Sequence, residues 1–585
     1  MTARLEDGSR VAVIGGGPAG SLTAYFLLTL ARRVDLSIGV DIYEPRDFTK
    51  SGPAGCNMCG GIVSESLVQA LAAEGINLPE SVVQRGIDSY VLHTDTELVR
   101  IDTPLKEKRI AAVHRGGGPQ DASEVKWGGL DGYLLNLARG LGARVVPVRV
   151  SDAGWDGERP QVRLRDTAES YDLLVGAVGV NSGGWQLFEK LGLPSRPCRT
   201  TKAYITELAV GSDVIGRQFG NAMHMFLLNL PGLDCAAIIP KGNFLTVCLL
   251  GSDIDQDLVG NFFGNAAVKR CFPSGWEPAE GACHCSPKIN IREATVPFVN
   301  RVVLVGDCGA TRLYKDGIGA AYRTAKAAAT TAIFSGTSAS DFRKRYMPVY
   351  RDIARDNLFG RVIFSIVGAI KTFKPLLRGV IKMSAKEQQS SGPSRRMSIV
   401  LWDMFTGSAP YREIFGRTLD PRFLGRFLWE SLHAAGAGGR PVAGRTSRMD
   451  EGVLGRDYSD GDVICQQGER GDRMYVIQAG RASVVHEEGG FEAVVGELGA
   501  GDIFGEMAIF DHQPRSATVR ANGKARVLTL DKRAFLSHVQ EDPSLAYRVL
   551  EDMSQRIRNL DAEVSRLKRA ALSDLDARSS TTPSA

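Results

Sequence analysis

Apolar and polar positions along this chain follow several distinct rhythms, and each predicts a different kind of element. Val11–Ile14 is a short β-branched run, the pattern of a strand covered on both faces. Glycines follow at 15, 16, 17 and 20, and then Ala24, Leu27, Leu28 and Ala31 fall at helical spacing. A second strand-like run, Val40–Tyr43, ends in Glu44. Runs at Lys202–Val210, Met223–Leu230 and Cys235–Leu250 predict an antiparallel sheet, bounded at about residues 195–290. Residues 338–432 read as helical, with a break near Pro375, and 433–447, rich in Gly, Ala and Arg, read as a linker. From 448 the pattern turns to short strands between glycine turns. Ala546, Leu550, Met553, Ile557, Leu560, Val564 and Leu567 then recur in steps of four and three, and 571–585 reads as a disordered tail. The stripe suits two readings, pairing with a second copy of the chain or covering a pocket of its own domain.

Composition narrows this picture only a little. At 585 residues the chain is too long for one core, so several domains are expected. An apolar fraction of 43%, a charged fraction of 23% and a net charge of +5 are those of an ordinary globular protein and do not point to nucleic acid. The ten cysteines sit mostly within apolar runs, which argues against a secreted disulfide scaffold. The first residues lack an apolar signal core, and no apolar run reaches the roughly 18 residues of a membrane span, so the cytoplasm is the expected compartment.

The opening strand, glycine turn, helix and strand-end acid form a chemical unit. Gly15 permits a tight turn, Gly17 lets backbone approach a pyrophosphate, and Gly20 lets the helix lie close on the strand. The helix N-terminus then offers N–H groups and a positive dipole to phosphate. Glu44 suits a ribose diol and repels the extra phosphate of NADP.

Three later segments carry a resemblance. Val302–Val305 runs into Gly306-Asp307, and Asp316-Gly317-Ile318-Gly319 opens a small-residue helix. Arg115 follows His114, with Asp131, Leu134, Leu135 and Ala138 beyond it. Cys59-Gly60-Gly61 stands soon after the second strand. Together these resemble the FAD-dependent geranylgeranyl reductases and the wider aromatic hydroxylase superfamily. The resemblance implies a Rossmann-type α/β FAD-binding domain over residues 1–337, with an antiparallel substrate sheet. It implies that Gly306 and Asp307 hold the ribityl chain, that Gly317 and Gly319 open a helix at the flavin pyrimidine edge, and that Arg115 contacts the flavin. Two departures mark its limits. Val178 replaces the Asp of the hydroxylases' Gly-Ala-Asp-Gly motif, and Cys235, Ala237 and Ile239 stand where the reductases carry aromatic residues before Pro240.

Three chemistries fit Cys56 and Cys59, which form a CxxC. They are small residues lining a cofactor pocket, a flavin-coupled dithiol, or part of a metal or iron–sulfur site with Cys283 and Cys285. The CxC spacing of the latter pair matches no common ligand motif, so no metal ligands are assigned. Lys315 either offsets charge near a reduced flavin or an acidic substrate, or is a surface lysine on a loop. From Asn357 to Lys386 there are six basic residues, Arg361, Lys371, Lys374, Arg378, Lys382 and Lys386, and no Asp or Glu. This stretch suits peripheral contact with an anionic membrane or a helical cap with a solvated basic face.

The segment 448–570 carries a second resemblance. Gly501-Asp502-Ile503-Phe504-Gly505-Glu506-Met507-Ala508 and Pro514-Arg515-Ser516-Ala517 resemble the cyclic nucleotide-binding β-roll of catabolite activator proteins and kinase regulatory subunits. That resemblance implies that Glu506 takes the ribose 2′-hydroxyl, that Arg515 pairs with the cyclic phosphate, and that Gly505, Ser516 and Ala517 offer backbone N–H groups. It favours cAMP over cGMP. Two functions fit the whole: an FAD-dependent oxidoreductase regulated by cyclic nucleotide, reducing an apolar or unsaturated substrate with NAD(P)H as transient donor, or a redox and cyclic-nucleotide sensor with little turnover.

Overall fold

The computed structural model describes residues 3–56, 59–103, 107–120, 129–194, 196–252, 254–278, 282–389, 395–433, 453–507, 513–532, 535–536, 539 and 544–579. The chain divides into two compact units, Met1–Val68 with Leu78–Gly455 and Gln69–Asn77 with Arg456–Ala585. The expected linker lies, apart from His433, outside the described residues.

The larger unit is built on a Rossmann-type parallel sheet. Its strands run Val302–Leu304, Leu173–Gly176, Arg10–Ile14, Gly39–Tyr43 and Arg144–Val146 across the sheet, with Phe298–Val299 antiparallel on one edge. The first strand has Leu173–Gly176 on one side and Gly39–Tyr43 on the other, so Val11, Ala12 and Val13 are fully buried. Both faces are covered, which is why the sequence reads as unbroken apolar runs. The helix Pro18–Arg33 follows directly, with proline in its first turn and Arg32 and Arg33 in its last turn, where they complement the dipole. Leu22, Phe26, Leu27 and Leu30 are buried, each contributing about 1.5–3 kcal/mol of transfer free energy before entropy. A Cβ on Gly20 would lie 1.8 Å from the Gly15 carbonyl oxygen, so only glycine permits this approach.

A seven-stranded sheet forms the second layer. Its order is His284–Cys285, Tyr204–Ala209, Phe244–Gly251, Leu233–Lys241, Ala222–Phe226, Ser89–His93 and Leu98–Asp102. The strands predicted between 195 and 290 are all present, but the sheet is larger than expected. Ser89–His93 joins in parallel beside Ala222–Phe226, and Leu98–Asp102 extends it as a hairpin. The sheet therefore reaches outside the predicted bounds.

The segment after 338 is helical and belongs to the larger unit. Its longer helices are Met347–Thr372, Lys374–Gln389, Arg396–Thr406, Tyr411–Thr418 and Pro421–His433. The break falls at Phe373, in extended conformation, with Pro375 in the first turn of the next helix. These helices share one core with the sheet, in which Tyr90, Leu92, Val99 and Ile101 meet Ile363, Met383, Trp402 and Phe405. Among the described residues, four of the six basic side chains are engaged within the unit. Lys371 donates to the carbonyls of Leu233 and Asp234 at 2.5 and 3.1 Å. Arg378 faces Glu97 at 3.8 Å, Lys382 reaches the carbonyl of His433 at 3.4 Å, and Lys386 pairs with Glu430 at 2.7 Å. The helical-cap reading of this stretch holds for the side that meets the sheet. Leu358, Val362 and Ile366 remain exposed in a row. No helix among the described residues is long and apolar enough to cross a membrane.

The smaller unit is an antiparallel β-roll. Thr518–Asp531 is its spine, pairing with Arg456–Tyr458, Val463–Cys465 and Arg473–Glu488, and the last of these also pairs with Phe491–Leu498 and Ile503–Phe504. Met474, Val476, Ile477 and Val527 fill its interior. The terminal helix, Ser544–Ser579, runs past the predicted boundary at 570, and the rest of the expected tail lies outside the described residues. Leu550, Ile557, Leu560, Val564 and Leu567 are each about half exposed, so most of the stripe is uncovered within one chain.

Candidate functional site

One cavity of about 570 Å³ runs through the larger unit, and most of the predicted cofactor residues line it: Gly15, Gly17, Glu44, Arg115, Asp307 and Gly317. The glycine turn ends the first strand against its neighbour. A Cβ on Gly15, whose φ is +108°, would sit 2.4 Å from the Ala177 carbonyl oxygen. Gly17 caps the helix with no side-chain bond, and Gly17, Pro18 and Ala19 at the helix start line the cavity. Glu44 is fixed by the turn itself: Gly16 N–H donates to one oxygen at 2.8 Å and Arg46 N–H to the other at 2.9 Å. Gly20, Gly306 and Gly319 are packing positions, absent from the lining. At Gly306, φ +70°, a Cβ would lie 2.6 Å from that of Ala19, and at Gly319 it would lie 2.3 Å from an Asp316 oxygen.

Arg115 forks onto Asp131, with contacts at 2.5 and 3.0 Å. Asp131 is fully buried, and the Asp131 and Cys59 side chains hold the guanidinium charged against the cost of burial. Asp307 is held by Thr311 on one side, and its Oδ1 is buried without a hydrogen-bond partner among the described residues. Burial raises its pKa. A buried acceptor with nothing to accept is costly unless a ligand hydroxyl completes it. A glycine cradle, a fixed strand-end carboxylate and this orphan acceptor fit the pyrophosphate, ribose and ribityl parts of FAD in turn.

The far end of the cavity is apolar. Ile205, Met223, Met225, Cys248 and Leu250 face it, and so do Cys235, Ala237 and Ile239, the three positions that depart from the reductase motif. They alternate along one strand, which puts all three on one side. Phe405 and Thr406 of the helical segment complete this end, a contribution with no sequence motif to announce it.

Between the two ends lies Lys315. The surface-loop reading is overturned: Nζ is buried, has no hydrogen-bond partner among the described residues, and lies 5.5 Å from the Phe405 ring centroid. Burial lowers its pKa to about 7. Its neighbours Tyr314 and Asp316 both take positive φ, 58° and 49°, a costly conformation for residues with side chains. They are held from several sides. Ser64 donates to Asp316 at 2.7 Å, Leu313 N–H donates to Asn357 at 2.9 Å, and Tyr411 hydroxyl donates to the Leu313 carbonyl at 2.6 Å. Arg312 donates to the carbonyls of Gly407 and Ala409 and lies over the Tyr411 ring.

The two cysteines of the CxxC differ in their relation to the cavity. Cys59 lines the cavity, and its Sγ accepts from Gly61 N–H at 3.4 Å, but Cys56 is not part of the lining. Cys56 is tied into the preceding turn by its N–H bond to Gly52 at 2.8 Å. No disulfide joins cysteines among the described residues. Burial, then the neighbouring Cys56 and Cys283 thiols, pushes Cys285 up to about 12. Among the described residues these four thiols do not close into a metal-ligand group.

In the β-roll, Glu506 and Arg515 are both buried. Arg515 Nη2 donates to the Arg473 carbonyl at 2.9 Å, its guanidinium lies 5.2 Å from the Tyr475 ring centroid, and Nη1 has no partner among the described residues. Gly505, φ +78°, leaves room for it: a Cβ there would stand 2.5 Å from Nη1. Ser516 and Ala517 form the bend before the spine strand. The result is a fixed, half-satisfied guanidinium beside a carboxylate, suited to one phosphate and one hydroxyl. Glu506 is not idle. Arg556 of the terminal helix pairs with it at 2.9 Å, a contact the sequence did not announce. Residues 508–512 lie outside the described residues.

Residues 455–542 match the family model described as the cyclic nucleotide-binding domain. Over 101 residues the chain is 40% identical to a cAMP-dependent protein kinase regulatory subunit of Mycosarcoma maydis, covering 16% of this chain and 19% of that protein. Over 112 residues it is 28% identical to a CRP-like cAMP-activated global transcriptional regulator of Mycobacterium tuberculosis, covering 19% of this chain and 50% of that one. The chain thus spans from about a fifth to about half of the length of these two curated relatives. Among solved structures, it is similar to a flavoprotein/dehydrogenase from Cytophaga hutchinsonii at 14% identity and a TM-score of 0.47, covering 73% of this chain and 98% of that one.

Proposed function

We propose that the chain is an FAD-dependent oxidoreductase that reduces an apolar or unsaturated small molecule, accepts electrons from a transiently bound NAD(P)H, and is regulated by cAMP bound to its β-roll. The observation that carries the flavin half is the continuity of one cavity from Glu44, past the orphan acceptor of Asp307, to the apolar wall of Met223, Met225, Cys235 and Ala237. The geranylgeranyl reductase-like character rests on Cys59-Gly60-Gly61 beside that wall, and Cys235, Ala237 and Ile239 give the wall a different shape from one built of three aromatic residues. FAD, when bound, supplies two-electron transfer between donor and substrate. The chain's own residues do the rest. Gly15 and Gly17 admit the pyrophosphate, Glu44 orients a ribose, and Asp307 accepts from a hydroxyl. Arg115 keeps its charge near Cys59, and the methionine and aliphatic wall excludes water from the reacting end. Lys315, with a pKa near 7, holds or releases a proton at Nζ close to neutral pH. For the β-roll, Arg515 and Glu506 support cyclic nucleotide binding, and the names of its relatives support cAMP before cGMP.

The second reading, a redox and cyclic-nucleotide sensor with little turnover, is favoured by the Arg556–Glu506 pair. A ribose arriving at Glu506 competes with the terminal helix for the same carboxylate, which makes the helix a reporter. Anaerobic mixing of the flavin-loaded full chain with NADH or NADPH, with and without cAMP, separates the two. Flavin bleaching followed by reoxidation with an unsaturated lipid supports the enzyme. Bleaching without turnover across a substrate screen favours the sensor, and a chain that binds no flavin defeats both.

A further inference from the structure

Behind the apolar wall of the cavity, three potential metal ligands converge. His93 and His224 sit on neighbouring parallel strands, Ser89–His93 and Ala222–Phe226. Met223 and Met225 point from the second of these into the cavity, so alternation turns His224 to the opposite face. There it meets Cys271, which follows the two short helices Gln256–Gly264 and Ala266–Lys269. His93 Nε2 lies 3.1 Å from His224 Nδ1, and Cys271 Sγ lies 3.9 and 3.7 Å from those two nitrogens. The three residues are only 4, 6 and 7% exposed. Phe226 stacks on His93 at 4.5 Å, and Phe219 packs on His224 at 4.7 Å, so both rings are fixed in apolar surroundings.

The spacing is that of a coordination shell. With metal–nitrogen lengths of about 2.0–2.1 Å and a metal–sulfur length of about 2.3 Å, tetrahedral angles put the nitrogens about 3.3 Å apart and each about 3.6 Å from sulfur. Each of the three separations matches to within about 0.3 Å. We propose that His93, His224 and Cys271 bind a thiophilic d¹⁰ metal ion, Cu⁺ or Zn²⁺, which pins the Gln256–Cys271 segment to the back of the sheet.

The chemistry of the groups agrees with the geometry. Both rings are buried between aromatic neighbours, and each brings a ring nitrogen to the shared point, where a neutral imidazole offers its lone pair. Binding by Cys271 displaces its thiol proton: one Cys–SH becomes one metal–thiolate bond, and one H⁺ is released. No redox step is involved. Arg270 near His93 and Arg100 near His224 disfavour added positive charge. Cu⁺ with one thiolate is electrically neutral and is satisfied by three ligands. Zn²⁺ needs a water as fourth, because no further His, Cys, Asp or Glu joins the cluster among the described residues.

X-ray absorption at the metal edge tests this on the full chain, since it reads ligand atoms and is blind to flavin. The protein is incubated anaerobically with Zn²⁺ alone, or with Cu⁺ under reductant alone, then freed of excess metal. The expected result is about one ion per chain with a shell of one sulfur and two imidazole nitrogens. Which of the two ions is retained distinguishes them. Cys271→Ala and, as a milder change, His224→Gln are each expected to lower retention at least about tenfold. A wild-type chain that retains less than about 0.1 ion, a shell without sulfur, or unchanged retention in folded Cys271→Ala overturns the proposal and leaves a hydrogen-bonded His–His–Cys trio.

Discussion

Replacing Arg515 by alanine gives the most direct test of the β-roll site. Among the described residues its side chain makes one hydrogen bond, from Nη2 to the Arg473 carbonyl at 2.9 Å, and Nη1 has no partner. The surrounding loop is held by backbone bonds that survive the substitution: Arg515 N–H to the Glu469 carbonyl and Gly468 N–H to the Arg515 carbonyl, both 2.9 Å. The unit should therefore fold, losing about 0.5–1.5 kcal/mol for one hydrogen bond and regaining part of the cost of a buried charge. Binding is a different matter. Loss of the guanidinium leaves a cyclic phosphate in a buried site without its cation, worth about 1.5–3 kcal/mol, or roughly 10- to 150-fold in Kd. Calorimetry with cAMP and with cGMP reads this directly. Arg515→Lys, which keeps the charge but not the fork, should fall between. If the alanine variant is folded and its Kd for cAMP stays within about twofold of the parent, Arg515 does not hold the phosphate and the residue roles in this unit are wrong.

Asp307→Ala should lower FAD affinity at least about tenfold while leaving the melting temperature of the flavin-free chain unchanged or raised, because it removes a buried orphan acceptor; equal flavin affinity by fluorescence titration refutes that role. Lys315→Met in the flavin-free chain tests a pH effect. Lys315 is depressed from 10.5 to about 7, so its charged form penalises the fold fully below pH 7 and not at all above pH 10.5. The gain in melting temperature should be largest near pH 6 and vanish toward pH 10.5, and a gain independent of pH sinks the assignment. Leu560→Glu should shift a homodimer to monomer in sedimentation velocity, since Leu560 lies in the uncovered stripe of the terminal helix; a parent chain already monomeric at tens of micromolar defeats the pairing. Finally, the exposed row Leu358, Val362 and Ile366 is proposed to rest on an anionic membrane, and Ile366→Glu should abolish co-sedimentation with phosphatidylserine vesicles at low salt. No sedimentation of the parent chain retires this contact.

The parts of the site that were legible in the sequence are those whose function is local. Gly15, Gly17 and Gly20 announce themselves because one short turn must bring backbone within contact of a neighbouring strand and a ligand. Asp307 and Gly317 sit on one loop, as do Gly505 and Glu506. What stayed hidden depends on contacts made across long stretches of chain. Ser89–His93 pairs in parallel with Ala222–Phe226, more than a hundred residues away, and nothing local marks a partner at that distance. Cys56 and Cys59 look equivalent as a motif, yet the turn held by the Cys56 N–H to Gly52 bond sends only Cys59 to the cavity. Lys371 reads as part of a solvated basic face, but its Nζ caps two strand carbonyls. His93, His224 and Cys271 carry no spacing signature, since a sheet and a helix pair bring them together.

Arg312 holding the carbonyls of Gly407 and Ala409 has a practical consequence for anyone cutting this gene into pieces. The boundary near residue 337, where the sequence pattern changes, is not a place to stop. A fragment ending there would lose both acceptors and the Tyr411 ring, strip the helices from Tyr90, Leu92, Val99 and Ile101, and release the loop that carries Lys315. Such a fragment is expected to expose that apolar face and to aggregate, which light scattering would read. A flavin unit cut from this chain therefore keeps the helices through His433 and also Val453–Gly455, where Gly455 N–H donates to the Lys108 carbonyl at 2.8 Å.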